Sequence, residues 1–240
     1  MKRHILSLLA LTAFSLSGIA QTVVFQEDFD AAPLGVTCTS RGGSTLPQAN
    51  PVPAGQWCWN DTNAISTSAP YSYHAATPLS SDTVVFESNS FSTVGNSFVQ
   101  LSFFHKALMF GSMRAEIEVS NDNGATWTLL GGTQYLGNSS SYPTLGYFNI
   151  TSYPINTSIW GTPAAPLPAS QAAWKLEEFD VSNELGGTNG FANCKVRFTY
   201  RSIQGNILPQ ANWSQFDGWF VDDVEVLAAP CEVTPPSATF

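Results

Sequence analysis

The sequence predicts an all-β protein, a jelly-roll β-sandwich of two antiparallel sheets with two long irregular loops. Helical periodicity is almost absent, short runs of alternating apolar and polar residues dominate, and Gly, Pro, Asn and Ser separate them. Many short strands with distant partners are typical of a sandwich or jelly roll. The 240-residue chain shows no internal repeat and can form one such domain.

Residues 1–20 have the features of a secretory signal peptide. They open with Lys2-Arg3-His4, continue through the apolar segment Ile5–Leu11, and end on the small residues Gly18-Ile19-Ala20. The expected location is therefore outside the cell, either secreted or on the cell surface. Export also allows disulfide bonds to form.

The remaining chain is predicted to hold one domain and a linker. The domain spans 21–228, and 229–240 forms a linker whose Pro235-Pro236 leads toward a possible further, covalently linked module. The chain has 18 acidic and 9 basic residues, a formal net charge of −9. This balance argues against nucleic acid as a partner, since binding phosphates requires clustered Lys and Arg. No apolar run after the leader is long enough for a membrane span.

Alternation predicts eight strands and the direction of their side chains. In the segment Cys194–Arg201, Val196, Phe198 and Tyr200 share the inner face, while Lys195, Arg197 and Arg201 share the outer one. In the same way Ala115, Ile117 and Val119 point inward, and Arg114, Glu116 and Glu118 outward. The predicted strands are Thr22–Phe29, Thr83–Glu87, Ser97–Lys106, Met113–Ser120, Thr126–Leu130, Trp174–Val181, Cys194–Arg201 and Trp219–Leu227.

The two irregular stretches are 31–82 and 131–173. Loops of this length are uncommon in compact domains and are usually functional or mobile. They contain Trp57, Trp59 and Trp160, and a further loop contains Trp213. A flat ring beside amides and hydroxyls suits a sugar, although loop tryptophans also anchor their own loops. Trp127, Trp174 and Trp219 are instead predicted to lie in the core.

The four cysteines are expected to form disulfides in three possible pairings. The pair Cys38–Cys58 is favoured because it closes a short loop, which contributes about 3 kcal/mol. Cys194 and Cys231 flank two segments that are expected to be neighbouring strands. A zinc site is not expected, because no CxxC occurs.

Two carboxylates are predicted to point the same way as their apolar neighbours. Glu27 lies between Phe25 and Phe29, and Asp222 alternates with Phe220, Val224 and Val226. A lone buried carboxylate is costly unless it is paired or bound to a metal. If the first and last strands are close, a shared Ca²⁺ with backbone oxygens would satisfy both. The alternative is hydrogen bonding to backbone N–H groups or to an arginine.

Two further motifs could carry chemistry. The segment Ser120–Trp127 matches the Asp-box pattern S-x-D-x-G-x-T-W, but it occurs once, and Asp122-Asn123-Gly124 suits a hairpin turn. Glu116 and Glu118 could act as the paired carboxylates of a glycoside hydrolase. A solvated strand face paired with Arg197 or Lys195 is the favoured interpretation, and no catalytic residues are predicted.

The order of these segments resembles that of MAM-like jelly-roll domains. More closely, it is similar to the versions found in large secreted, surface-associated bacterial proteins and beside some secreted metallopeptidases. The resemblance covers residues 22–228 and is carried by Glu27–Asp30, Ser120–Trp127, Trp174 with Glu178–Ser182, Val196–Tyr200 and Gly218–Val226.

The resemblance implies a structural cation and a non-catalytic function. In MAM domains the opening and closing acidic segments lie near the cation, which here implies Glu27, Asp28, Asp30, Asp222 and Asp223. The four-cysteine pattern of animal MAM domains is absent, so their disulfide pairing is not transferred. The function expected is a binding or adhesion module for a glycan or surface protein. The alternatives are a structural spacer of a larger adhesin and a divergent glycoside hydrolase.

Overall fold

The computed structural model describes residues 21–29, 36–40, 57–59, 72–75, 83–109, 112–153, 174–202 and 218–230. In this part of the chain two antiparallel sheets pack face to face, which confirms the predicted jelly-roll sandwich. No helix within the described ranges has the length and apolar character needed to cross a bilayer.

The first sheet has six strands and is built around the last strand of the domain, β11. The order is β3-β4-β11-β6-β9, and β1 pairs with β11 along the edge that β4 also uses. The strands of this sheet are β1 (Thr22–Glu27), β3 (Trp57–Trp59), β4 (Tyr73–Ala75), β6 (Phe98–Leu108), β9 (Lys175–Asp180) and β11 (Gly218–Ala229).

The second sheet has five strands in the order β2-β5-β10-β7-β8. Its central strand, β10, pairs with β5 on one side and with β7 on the other. The strands are β2 (Val36–Ser40), β5 (Thr83–Ser88), β7 (Met113–Ser120), β8 (Thr128–Leu129) and β10 (Lys195–Ser202).

All eight predicted strands are present, with ends that differ by up to two residues. The three strands that the sequence did not predict, β2, β3 and β4, lie in the stretch 31–82 that was expected to be irregular. They are only three to five residues long. Such segments are too short for alternation to distinguish them from a loop.

The core between the sheets is rich in aromatic rings. Phe86 and Phe198 of the five-stranded sheet stack with centroids 4.5 Å apart. Phe103 of the other sheet meets Phe198 edge-on at 5.0 Å. As predicted, the inward residues of β7 and β10 are fully buried in this core, and so is Trp219. Trp174, also predicted to lie in the core, is buried in a separate small cluster with Phe220. Edge-to-face and offset contacts between rings add about 0.5–1.5 kcal/mol each to the area that they bury.

The first half of the second irregular stretch belongs to the core. Residues 131–153 contain one short helix, α1 (Tyr142–Leu145). Tyr142 and Phe148 are fully buried against each other, and Tyr142 also packs against Phe179 of β9. A short π-helical turn, Ser182–Gly186, follows β9. Residues 154–173, which include Trp160, lie outside the described residues. The described half is therefore a packed segment and not a surface loop.

Cys194 is a buried free thiol, which differs from the disulfide predicted for it. Its Sγ lies 3.5 Å from Thr93 Oγ1 and 3.6 Å from the carbonyl oxygen of Phe191. The premise of the pairing with Cys231 was also wrong, because β10 and β11 lie in different sheets and are not neighbours. Burial raises the pKa of this thiol. Cys231 itself lies outside the described residues, and of Cys38 and Cys58 only the backbone is described.

Candidate ligand-binding groove

A groove of about 380 Å³ crosses the outer face of the five-stranded sheet. The side chains that form it come from adjacent strands, because alternate residues of β5, β7 and β10 project from this face. It is lined by Thr83, Val85, Glu116, Glu118, Leu129, Arg197, Thr199 and Arg201. The lining thus combines charged groups, hydroxyls and two aliphatic side chains.

One side of the groove is organised by an ion pair between directly opposite residues of β7 and β10. Arg197 donates from Nε to Glu118 Oε2 at 2.8 Å and from Nη2 to Oε1 at 2.6 Å. Thr199 Oγ1 also donates to Glu118 Oε2, at 2.7 Å. Both oxygens of Glu118 are therefore occupied by protein donors. The predicted pairing of this strand face with Arg197 is confirmed.

At the other end of the groove Arg201 forms part of the lining, and Arg114 lies next to it on the neighbouring strand, outside the lining itself. Arg201 and Arg114 are directly paired in the register of β10 and β7. Glu116 Oε1 accepts a hydrogen bond of 2.6 Å from Arg201 Nη2, which raises the pKa of Arg201. The guanidinium of Arg114 lies 4.3 Å from the ring centre of Tyr147. Glu116 was expected to be solvated, but Arg201 and its neighbours leave only 5% of it exposed.

Trp127 lies beside the groove and not in the core, which corrects the prediction for this residue. Its ring is half-buried, and the Arg197 guanidinium carbon lies 4.1 Å from the ring centre. A favourable cation–π contact of this kind fixes both side chains. The position of Trp127 directly before the short strand β8 could have suggested that its side chain lies outside the core. In that edge strand Leu129 is 46% exposed.

The turn before Trp127 is the hairpin that the sequence predicted. Asp122 Oδ1 accepts hydrogen bonds from Ser120 Oγ at 2.7 Å and from the backbone N–H of Thr126 at 2.9 Å, and Oδ2 accepts one from Thr126 Oγ1 at 2.6 Å. The bonds from Thr126 lower the pKa of Asp122 from 3.8 to about 2. Asn123 and Gly124 adopt φ values of 62° and 88°. The turn is thus a fixed support for the tryptophan.

The strand pairing brings the two acidic segments of the predicted cation site next to each other. β1 and β11 are antiparallel neighbours, with Glu27 opposite Val224. Glu27 and Asp222 are both buried. Glu27 Oε1 accepts a hydrogen bond from the N–H of Phe29, and Asp222 Oδ1 accepts one from the N–H of Asp223. Such bonds to backbone N–H groups are the alternative that the sequence analysis left open.

A β-bulge corrects the expected direction of Asp222. The register between β11 and β6 shifts between Asp222 and Glu225, and Asp223 has a φ of 47°. Before the bulge Trp219 and Val221 enter the main core, whereas after it Val224 and Val226 do so. Asp222 therefore shares the side of Phe220, which packs with Trp174 and Phe104 away from that core. Its alternation with Val224 and Val226 does not hold.

The remaining predicted cation ligands do not gather around these two side chains in the described residues. Asp28 is exposed and Asp223 is half-buried. No group of three or more His, Cys, Asp or Glu side chains in the described ranges is arranged to hold a metal ion. Asp30 lies outside the described residues.

None of the side chains of the four predicted ligand-binding tryptophans belongs to the described part of the structure. Trp57 and Trp59 belong to β3, at the edge of the six-stranded sheet, and only their backbone is described. Trp160 and Trp213 lie outside the described residues.

A second polar cluster is completely buried between the sheets and is not accessible to a ligand. His105 and Glu177 are fully buried, with His105 Nε2 3.2 Å from Glu177 Oε1. Trp219 Nε1 donates to His105 Nδ1 at 3.2 Å, which leaves the ring proton on Nε2 to face the carboxylate. Tyr135 donates to the other oxygen of Glu177, and burial raises the pKa of this phenol. The cluster fits the structural role predicted for His105.

Comparisons with known proteins identify similar folds. No family model and no curated protein matches the sequence. The chain is similar in structure to the CBM22-1 xylan-binding domain of Xyn10C from Paenibacillus barcinonensis, with 9% identity, a TM-score of 0.42, and coverage of 90% of this chain and 100% of that domain. It is also similar to TmCBM61 in complex with β-1,4-galactotriose, with 11% identity, a TM-score of 0.34, and coverage of 71% and 79%. At this level of similarity, what those proteins bind does not transfer to this chain.

Proposed function

We propose that this protein is a non-catalytic, secreted binding module that holds an extended glycan in the groove of the five-stranded sheet. The observation that carries the proposal is the groove itself, which is about 380 Å³ in volume and is lined by side chains that neighbouring residues hold in place. Its size falls within the range of about 300–1,000 Å³ typical of ligand sites.

The lining offers both kinds of contact that a sugar requires. Arg197, Glu118 and Thr199 form a fixed set of hydrogen-bonding groups for hydroxyls. Leu129 and the neighbouring Trp127 offer apolar surface for the CH face of a sugar ring. Because the ion pair holds these groups before a ligand arrives, little side-chain entropy is lost on binding.

The same contacts favour binding over hydrolysis. A glycoside hydrolase needs one carboxyl group that can give a proton to the leaving group and a second that acts as nucleophile or base. Both oxygens of Glu118 accept hydrogen bonds from protein donors, and Glu116 is held by Arg201. These interactions suit carboxylates that orient other groups. We therefore propose a module without catalytic residues.

The test is affinity electrophoresis of the full chain through gels that contain neutral or acidic polysaccharides, followed by titration calorimetry on any ligand found. Trp127→Ala and Leu129→Ser should weaken binding at least tenfold, because apolar contact area is lost. Leu176→Ser is the matched control, since Leu176 is 43% exposed on the other sheet and Leu129 is 46% exposed. A ligand that binds all three variants equally would place the site elsewhere and refute the proposal.

The loop tryptophans provide a separate location for a site, and the same titration distinguishes the two. If Trp57→Ala or Trp59→Ala abolished binding while Leu129→Ser did not, the ligand would bind at the edge of the six-stranded sheet. If no glycan bound to folded protein, adhesion to a surface protein or a spacer role would take the place of the glycan proposal.

We also propose a structural Ca²⁺ near the pairing of β1 and β11. The buried carboxylate of Glu27, on the strand paired with β11, supports it. Asp222 is buried on the opposite face of β11, so backbone oxygens and Asp30 would have to complete the shell. Removing calcium with a chelator should lower the melting temperature, and Glu27→Gln should remove that dependence. An unchanged melting temperature after chelation would refute the proposal.

A further inference from the structure

We propose that the end of the groove at which Arg114 and Arg201 face each other binds the carboxylate of a uronic-acid-containing glycan. This inference rests on the proposed function and specifies the chemical class of its ligand.

The first support is where the positive charges lie. Acidic residues outnumber basic ones by 18 to 9 in the whole chain. Nevertheless, four of the nine basic residues project from the outer face of two adjacent strands, β7 and β10, together with three carboxylates of this sheet. The four cations are Arg114, Lys195, Arg197 and Arg201, and the carboxylates are Glu87, Glu116 and Glu118. The described part of this face therefore has one more positive than negative group, on a protein whose formal net charge is −9.

The second support is the uneven balance of charge along the face. At one end Arg197 makes two hydrogen bonds to Glu118, and Lys195 lies 3.9 Å from Glu87. At the other end, among the described residues, Glu116 is the one carboxylate beside Arg201, and Arg114 is opposite Arg201 in the strand register. Like charges directly opposite each other on adjacent strands destabilise a sheet. An anion bound there would remove this repulsion.

The third support is that the two arginines are held in place by their neighbours, while part of their hydrogen-bonding capacity has no partner in the described structure. Within the described residues Arg114 makes no ion pair, and its guanidinium is held against the ring of Tyr147 at 4.3 Å. Arg114 Nε and Arg201 Nε are both buried and have no hydrogen-bond partner in the described structure, so a ligand would meet the outer nitrogens of the guanidiniums. The Arg201 side chain is 40% exposed at the end of the groove, so its guanidinium can meet a ligand.

These features favour a carboxylate on a sugar. A guanidinium has a planar fork of N–H donors, and a carboxylate is the planar anion that matches it. A chain of uronic acids lying in the groove would place its rings on Leu129 and Val85, which line the same groove as Arg201. The arginine pair therefore selects the charge, and the rest of the groove binds the sugar backbone.

The experiment compares polygalacturonate with its fully methyl-esterified form, which has the same backbone without the charges. Calorimetry of the full chain should give a dissociation constant at least tenfold lower for polygalacturonate. Arg114→Gln should remove that preference without changing the affinity for the ester. Lys175→Gln is the matched control, because Lys175 lies on β9 of the other sheet. Arg114 is the better target, since Arg201→Gln would also break the ion pair with Glu116.

Three other outcomes would overturn the inference, and a fourth would refute the proposed function as well. Equal affinity for the acid and the ester would overturn it, as would an Arg114→Gln variant that binds polygalacturonate like the parent protein. Equal binding of dextran sulfate would show attraction to any polyanion and would overturn the carboxylate assignment. In each of these cases the glycan-binding proposal survives if the binding is lost in Leu129→Ser and kept in Leu176→Ser. Failure of both polymers and of the whole polysaccharide panel would refute both proposals.

Discussion

The ion pair between Arg197 and Glu118 should stabilise the fold as well as shape the groove. The pair makes two hydrogen bonds of 2.8 and 2.6 Å, and Thr199 adds a third to the same carboxylate. The two side chains are 22% and 16% exposed, so water screens them less than it screens an exposed pair. We consider the substitution Glu118→Gln, which keeps the shape of the side chain and removes its charge.

The expected magnitude follows from this geometry. Fully exposed pairs contribute about 0.2–1 kcal/mol, and hydrogen bonds to charged groups about 1.5–3 kcal/mol. A half-buried pair with two hydrogen bonds should lie between these values, so Glu118→Gln should reduce the free energy of unfolding by about 1–2 kcal/mol. For a domain of this size that corresponds to a fall in melting temperature of about 3–6 °C.

The assay is urea unfolding followed by tryptophan fluorescence, arranged as a double-mutant cycle with Arg197→Gln. The cycle isolates the coupling between the two side chains from the contacts of Arg197 with Glu87 and Trp127. Glu225→Gln is the control, because no ion pair of Glu225 occurs in the described structure and its side chain is also half-buried. A coupling energy below about 0.3 kcal/mol, within the usual error of additivity, would refute the reasoning.

Three further predictions concern the turns, acid stability and the free thiol. In urea unfolding, Gly190→Ala should destabilise the protein by about 1–3 kcal/mol more than Gly95→Ala. Both glycines have a positive φ, but only at Gly190 would a Cβ collide with the carbonyl of Thr93. The pKa of Asp122 is lowered from 3.8 to about 2. Its contribution to the free energy of unfolding should therefore be complete above pH 4 and should disappear as the pH falls through 2. Acid unfolding of Asp122→Asn should lack this pH dependence. Cys194 should react with a thiol reagent only after unfolding. Rapid labelling of Cys194 itself in the native protein, located by peptide mapping, would contradict its burial.

Strand positions could be predicted because strands such as β5 and β10 bury one face and leave the other more exposed. In β10, Val196, Phe198 and Tyr200 alternate with charged residues and are fully buried. The same alternation correctly placed Glu118 and Arg197 on one outer face. Alternation contains no information about register, however, so the opposition of Arg114 and Arg201 became visible only in the structure.

Two kinds of feature could not be predicted from the alternation. The bulge at Asp222 inserts one residue into β11, which reverses the faces of the residues after it without changing the composition of the segment. Strand order was equally hidden, because β10 and β11 are consecutive in sequence but lie in different sheets. The predicted pairing of Cys194 with Cys231 depended on the strand order, and the predicted direction of the Asp222 side chain depended on unbroken alternation along β11.

The Asp-box hairpin is a structural turn, and it also supports part of the proposed binding surface. The sequence analysis assigned Ser120–Trp127 to a turn and its tryptophan to the core. In the structure a Cβ on Gly124 would lie 3.2 Å from Trp127 Cζ2, so the ring packs against the turn on one side and meets Arg197 on the other. Because these contacts hold the ring, it loses little freedom when a ligand touches the part of it that remains exposed. The hydrogen bonds of Asp122 should therefore affect ligand affinity as well as stability, because they determine where Trp127 lies.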